Sequence, residues 1–164
     1  KDKQIVLSSH SPYIFRNCLD KAGKVVIMSK SDDQIEVHYA NSEEWGLFPW
    51  GPSWGEINFS AFNMNTVEFH NELYGVLQEN SSCYRSNEFD AWLNNNHGVE
   101  LDKVWVRLQN GEPGNESNVS LQTYIRHSIH HPENNLNNEY TDEELKQSCE
   151  KMIEILKSIR DQNN

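Results

Sequence analysis

The sequence predicts an α+β protein: the tail of an α/β domain over residues 1–40, a Trp-rich linker over 41–63, and a mainly α-helical bundle over 64–164. Three observations predict it. The first 40 residues hold a short apolar run and an alternating hairpin pattern. Trp45, Phe48, Trp50 and Trp54 then interleave with glycine and proline. From about Thr66 the apolar period lengthens to that of a helix.

Composition narrows the function classes. The chain has 164 residues, 14 Lys and Arg against 25 Asp and Glu, and a formal charge of −11. That excess argues against capture of nucleic acid by a broad basic surface, since such capture is driven by phosphate neutralisation. A local cationic site within an acidic surface stays open. No apolar run approaches the roughly 20 residues that a bilayer span needs. Cys18, Cys83 and Cys149 show no CxxC spacing and read as free thiols of a reducing cytoplasm. Five Trp, six Tyr and six Phe supply enough large apolar surface for a core.

Ile5-Val6-Leu7 has the composition of a buried strand, ended by Ser8-Ser9-His10-Ser11-Pro12. Tyr13-Ile14-Phe15 reads as a short helix or turn. A strand from Lys24 to Met28, turn residues Ser31-Asp32-Asp33, and alternating Ile35, Val37 and Tyr39 read as a hairpin. Residues 41–63 read as an irregular linker whose tryptophans pack within the chain or against a partner subunit. A strand pattern so close to Lys1 carries the expectation that the chain is a fragment of something longer upstream.

In the helical part, Phe69, Leu73, Val76 and Leu77 form one stripe with His70 and Tyr74 beside it. Glu88 to Asn95 reads as a second helix, stopped by Gly98. Val104, Trp105, Val106 and Leu108 fit strand or helix, and residues 110–118 read as a polar loop. Ser120 caps the next helix. There Leu121, Tyr124, Ile125, Ser128 and Ile129 share one face, and Gln122, Thr123, Arg126, His127 and His130 the other. Pro132 stops that helix at His131. Thr141 and Glu144 form a capping box for a last helix burying Leu145, Cys149, Met152, Ile153, Leu156 and Ile159.

The segment Ser8-Ser9-His10-Ser11-Pro12 resembles the switch-histidine segment of ABC-type ATPases, especially their SMC-like and bacterial defence branches. The resemblance implies that residues 1–40 are the C-terminal edge of such an ATPase domain. It also implies that His10 reaches the terminal phosphate of ATP as a catalytic and nucleotide-binding residue. The chain lacks G-x-x-x-x-G-K-[ST], a glycine-rich signature loop and an apolar strand ending in Asp-Glu. ATP with Mg would therefore be held mainly by an upstream part, and this chain alone is expected to bind no cofactor and to show no ATPase activity.

Arg126-His127-Ser128-Ile129-His130-His131 matches the R-(N/H)-x-x-x-H motif of HEPN domains, helical bundles of many bacterial defence RNases. The wider stretch from Thr123 to Asn134, with Glu68-Phe69-His70-Asn71-Glu72-Leu73-Tyr74-Gly75, also resembles the C-terminal region of ATPases of Septu-type anti-phage systems. The residue types suit phosphate chemistry: an Arg clamps a phosphate, and a His near neutral pKa exchanges a proton with a ribose hydroxyl. Arg126, His131 and His127 are thus candidate RNase residues, with Glu72 or Glu68 orienting Arg126 as the family does. On a regular helix Arg126 and His131 point about 140° apart, and Pro132 relieves this by unwinding the last turn. Metal binding by His127, His130, His131 and Glu133 is a further reading, with zinc disfavoured because no Cys is near.

Two functions follow. One is a module of an ATP-binding, ABC-type ATPase in an anti-phage complex, serving assembly, sensing or docking of a nuclease partner. The other is a HEPN-type, metal-independent endoribonuclease using Arg126 and His131. Either implies a homo-oligomer, a defence partner subunit, and no membrane.

Overall fold

The computed structural model describes residues 5–19, 25–31, 34–39, 47–48, 50 and 52–163. Gln4, Lys24, the Asp32-Asp33 turn, and Trp45, Gly46, Pro49 and Gly51 of the linker lie outside them. The protein is α+β and divides into two compact units, residues 1–64 and 65–164.

In the first unit, Pro12 opens α1 (Pro12–Leu19), where its missing N–H costs nothing. β1 (Val26–Ser31) and β2 (Gln34–Tyr39) form an antiparallel hairpin in register from Val26 opposite Tyr39 to Ser31 opposite Gln34. Phe15, Cys18 and Ala61 pack on buried Val25 and Ile27. α2 (Trp54–Phe62) runs through what the sequence suggested was irregular linker. Its cause is a capping box: the Ser53 hydroxyl accepts from Glu56 N at 3.1 Å, and Glu56 Oε2 accepts from Ser53 N at 3.3 Å. Glu56 is itself buried, and its Oε1 accepts from Leu47 N. The tryptophan ring of Trp54 meets Tyr13 at 5.4 Å, while Phe48 is buried beneath exposed Trp50.

One expectation fails here. Residues 5–10 form no helix or strand, and Ile5 and Val6 are 87% and 86% exposed rather than buried. A strand exists only where a neighbour takes its backbone N–H and C=O groups. Among the described residues none pairs with residues 5–7.

The second unit contains α3 (Val67–Ser81), α4 (Ser86–His97), β3 (Lys103–Gln109), β4 (Glu112–Val119), α5 (Leu121–His130) and α6 (Asp142–Asn163). It is therefore four helices and a hairpin, not a helical bundle alone. Phe69, Leu73, Leu77, Phe89, Leu93, Ile125 and Met152 make its dry centre. Thr66 caps α3 and Ser120 caps α5, each hydroxyl accepting from the N–H three residues on. Thr141 and Glu144 satisfy one another ahead of α6. α6 buries Leu145, Cys149, Met152, Ile153 and Leu156 as expected, with Ser148 and Ile155 besides, whereas Ile159, expected with them, is only half-buried near the helix end.

Residues 110–118 prove to be a turn and a strand. Asn110 and Gly111 both have positive φ, 52° and 84°, and join Gln109 to its partner Glu112. This is the two-residue turn whose twist suits a hairpin. Pro113 and Gly114 are tolerated because β4 is an edge strand. A bulge between Val106 and Leu108 leaves backbone groups free, and Asn137 meets them: its Oδ1 accepts from Val106 N at 2.8 Å and its Nδ2 donates to Val106 O at 2.9 Å. The segment joining α5 to α6 is thereby clasped to β3. Among the described residues no helix is long and apolar enough to cross a membrane.

Candidate functional site

α5 carries the site. Its N-cap Ser120 sets where the helix starts, and that start decides which side chains reach α3. On the polar face, opposite the apolar stripe, Gln122 and Thr123 are buried. The helix ends at His130, and His131 leaves it with φ −128° and ψ 57° just before Pro132. The departure brings His131 round to the same groove as Arg126, despite their opposed directions on a regular helix. The groove has a volume of about 230 Å³, and its lining includes Tyr74, Gln78, Arg126, His127, His130 and His131.

Arg126 is held from α3. Its Nη1 donates to Asn71 Oδ1 at 2.6 Å, and its guanidinium carbon stands 5.6 Å from the centre of the Tyr74 ring. The orienting group is thus an amide and an aromatic face on α3, where the sequence had suggested Glu72 or Glu68. Burial pulls the Arg126 pKa below its ordinary value, and the guanidinium keeps its charge at neutral pH.

His127 is half-buried against Trp105, ring centroids 5.1 Å apart, and its Nδ1 is buried with no hydrogen-bond partner. Burial first, then the positive fields of His131, Arg126, His130 and Arg107, bring its pKa down to about 4. His127 is therefore neutral at pH 7 and able to accept a proton. His130 is exposed, and burial and Arg126 lower its pKa too. His131 Nδ1 lies 3.3 Å from Glu133 Oε1 and its ring 6.5 Å from Trp105. Among the described residues no group of three or more His, Cys, Asp or Glu is placed to hold a metal ion. His127, His130, His131 and Glu133 do not gather into one.

Beneath the groove runs a buried polar chain that composition and spacing did not reveal. Asp90 on α4 accepts from the hydroxyls of Ser120 at 2.6 Å and Thr123 at 2.7 Å, and the Tyr74 hydroxyl lies 3.1 Å from Thr123 Oγ1. A lone acid inside the apolar Phe89-to-Leu93 face was the available signal, because an unpaired buried carboxylate is too costly to persist.

Arginine and neutral histidine in one groove can bind an anion and move a proton beside it. His10 has no comparable setting: it is exposed on chain without regular structure. No family model, curated protein or solved structure matches this chain.

Proposed function

We propose that this chain is the C-terminal part of an ATP-binding, ABC-type ATPase subunit of a cytoplasmic bacterial anti-phage complex. In this reading Mg-ATP is held mainly by upstream residues, with His10 as the switch histidine. The 65–164 unit is the module for assembly, sensing or docking of a nuclease partner. One observation supports a working role for that unit: an arginine preset by Asn71 and Tyr74 in a groove shared with three histidines. In a chain of charge −11 such a cationic groove is a selective receptor for one anionic group. The test is co-purification of the full-length ATPase with its partner, comparing wild type with Arg126→Ala. Loss of the complex with unchanged melting is expected, and a complex of undiminished yield would overturn the docking role.

A second reading is favoured by the convergence of Arg126 and His131 on one groove: metal-independent cleavage of RNA. Arg126 would hold the scissile phosphate, and His131 or neutral His127 would take the 2′-hydroxyl proton as that oxygen bonds to phosphorus; the P–O5′ bond breaks, the 5′-oxygen takes a proton from water, and a 2′,3′-cyclic phosphate is left. Cleavage by the full-length complex in the presence of EDTA should vanish in Arg126→Ala and His131→Ala. Equal cleavage in both would remove this reading.

A further inference from the structure

The groove's arginine is positioned by residues on three helices, and their order has a direction. Thr123 has one hydroxyl proton, and it goes to Asp90 Oδ1 at 2.7 Å. Thr123 Oγ1 then faces Tyr74 as an acceptor, so the Tyr74 hydroxyl donates to it across 3.1 Å. Asp90 Oδ1 also takes the Ser120 hydroxyl at 2.6 Å and the Ser120 N–H at 3.3 Å. Asp90, Ser120, Thr123 and Tyr74 are between 0% and 3% exposed, so water does not compete for these bonds. Tyr74 presents its ring to Arg126, and Asn71, three residues earlier on α3, takes the guanidinium Nη1.

Thr123 and Arg126 are three residues apart on α5, and Asn71 and Tyr74 are three apart on α3. The Tyr74–Thr123 bond therefore sets the register of one helix against the other, at the residue whose ring Arg126 meets and about one turn from Asn71. We infer that Asp90 is a positioning residue: through Thr123 and Tyr74 it locks α5 against α3 and so fixes the Arg126 guanidinium in the groove. The functional part of this inference rests on the groove being an anion receptor, but the positioning itself does not.

The experiment follows the side-chain Nε–Hε resonance of Arg126 in the full chain, identified by its absence in Arg126→Lys, and then titrates inorganic pyrophosphate. In wild type the Tyr74 ring, 5.6 Å from the guanidinium carbon, should displace the resonance. Thr123→Val keeps shape and burial but breaks both bonds. It should return the resonance toward that of free arginine and weaken pyrophosphate about tenfold, the effect of one well-placed hydrogen bond. Asp90→Ala should do the same. Asp90→Asn, which retains an Oδ1 acceptor, should restore most of both. A merely structural role for Asp90 would lower stability without moving the Arg126 resonance of the folded protein. If folded Thr123→Val shows the wild-type resonance and the wild-type affinity, the inference is overturned, and this holds even if Asp90→Ala fails to fold. If wild type ignores pyrophosphate while the resonance still follows the variants, positioning stands and the anion-receptor reading falls.

Discussion

Trp105 meets His127 edge to face, with ring centroids 5.1 Å apart and planes at 87°. The indole is almost wholly buried and meets Tyr124 in the same way at 5.6 Å. One residue of the hairpin thus both anchors α5 and keeps water from one side of the His127 ring. Trp105→Ala is expected to cost about 3–5 kcal/mol of stability, the range for emptying a large aromatic site. In the folded variant, NMR titration should find His127 moved up from about 4 toward 6.5, because burial is the first cause of its depression. An unchanged His127 midpoint would show that Trp105 is not what dries it.

Acid should destabilise the second unit through its buried histidines. His70 is fully buried, its Nε2 lies 3.0 Å from Ser148 Oγ, and its Nδ1 has no partner. Burial, then Arg126, bring its pKa down to about 3. The unfolded chain binds a proton there near 6.5 and the folded one does not, so stability rises with pH across that window. It is complete above about 6.5 and is lost as pH falls toward 3, with His127 adding its share between 6.5 and about 4. Asp90 acts in the opposite sense. Burial raises its pKa, so the folded state holds a proton more readily above the usual carboxylate value and gains stability as pH falls there. With two deeply lowered histidines against one acid, the net loss should be a few kcal/mol. Urea midpoints from pH 7.5 to 4.5 would measure it. His70→Gln should flatten the curve, and a slope equal to wild type would refute the assignment.

What could be read in advance was local in sequence. The Ser120 cap and the Thr141–Glu144 box act over three residues, so their residue types alone placed the starts of α5 and α6. Pro132 ended α5 for an equally local reason. The Ser53–Glu56 box and the Asn110-Gly111 turn were just as local, but surrounding prolines, glycines and polar residues concealed them. β4 could not be read from its own composition, because it is a strand only by pairing with β3. Residues 5–7 show the converse, strand-like side chains with no partner strand among the described residues. The groove was half legible. Arg126 and His131 stood out by type and spacing, whereas Asn71 and Asp90 gained their roles only when chain 55 and 30 residues away folded over them.

Two glycines should respond to alanine with opposite signs. Gly111 has φ 84°, and open space surrounds the position a Cβ would take. The penalty for Gly111→Ala is then purely conformational, about 1 kcal/mol or somewhat more. Gly75 lies within α3, also with space for a methyl group and without a positive φ. Gly75→Ala should stabilise by roughly 0.5–1 kcal/mol. Chemical denaturation of both variants decides the matter, and a shift of the same sign in both would contradict the backbone account.

Cys149 offers a probe of how firmly α6 is held. It is fully buried, while Cys83 and Cys18 are half-buried. Burial, then Glu150, push its thiol up to about 12, so almost none is thiolate at neutral pH. A maleimide should therefore label Cys83 and Cys18 first, and reach Cys149 only when α6 opens. The Cys149 neighbour Ser148 is the residue bonded to His70, so α3 and α6 are joined beside the thiol. His70→Ala removes that bond and leaves a cavity. It should speed labelling of Cys149 by at least tenfold at constant pH, on the basis of a lost buried hydrogen bond of about 1.4 kcal/mol or more. Cys83 should react at its original rate. If both thiols accelerate together, the variant has loosened the whole unit, and the His70–Ser148 bond is not a local clamp on α6.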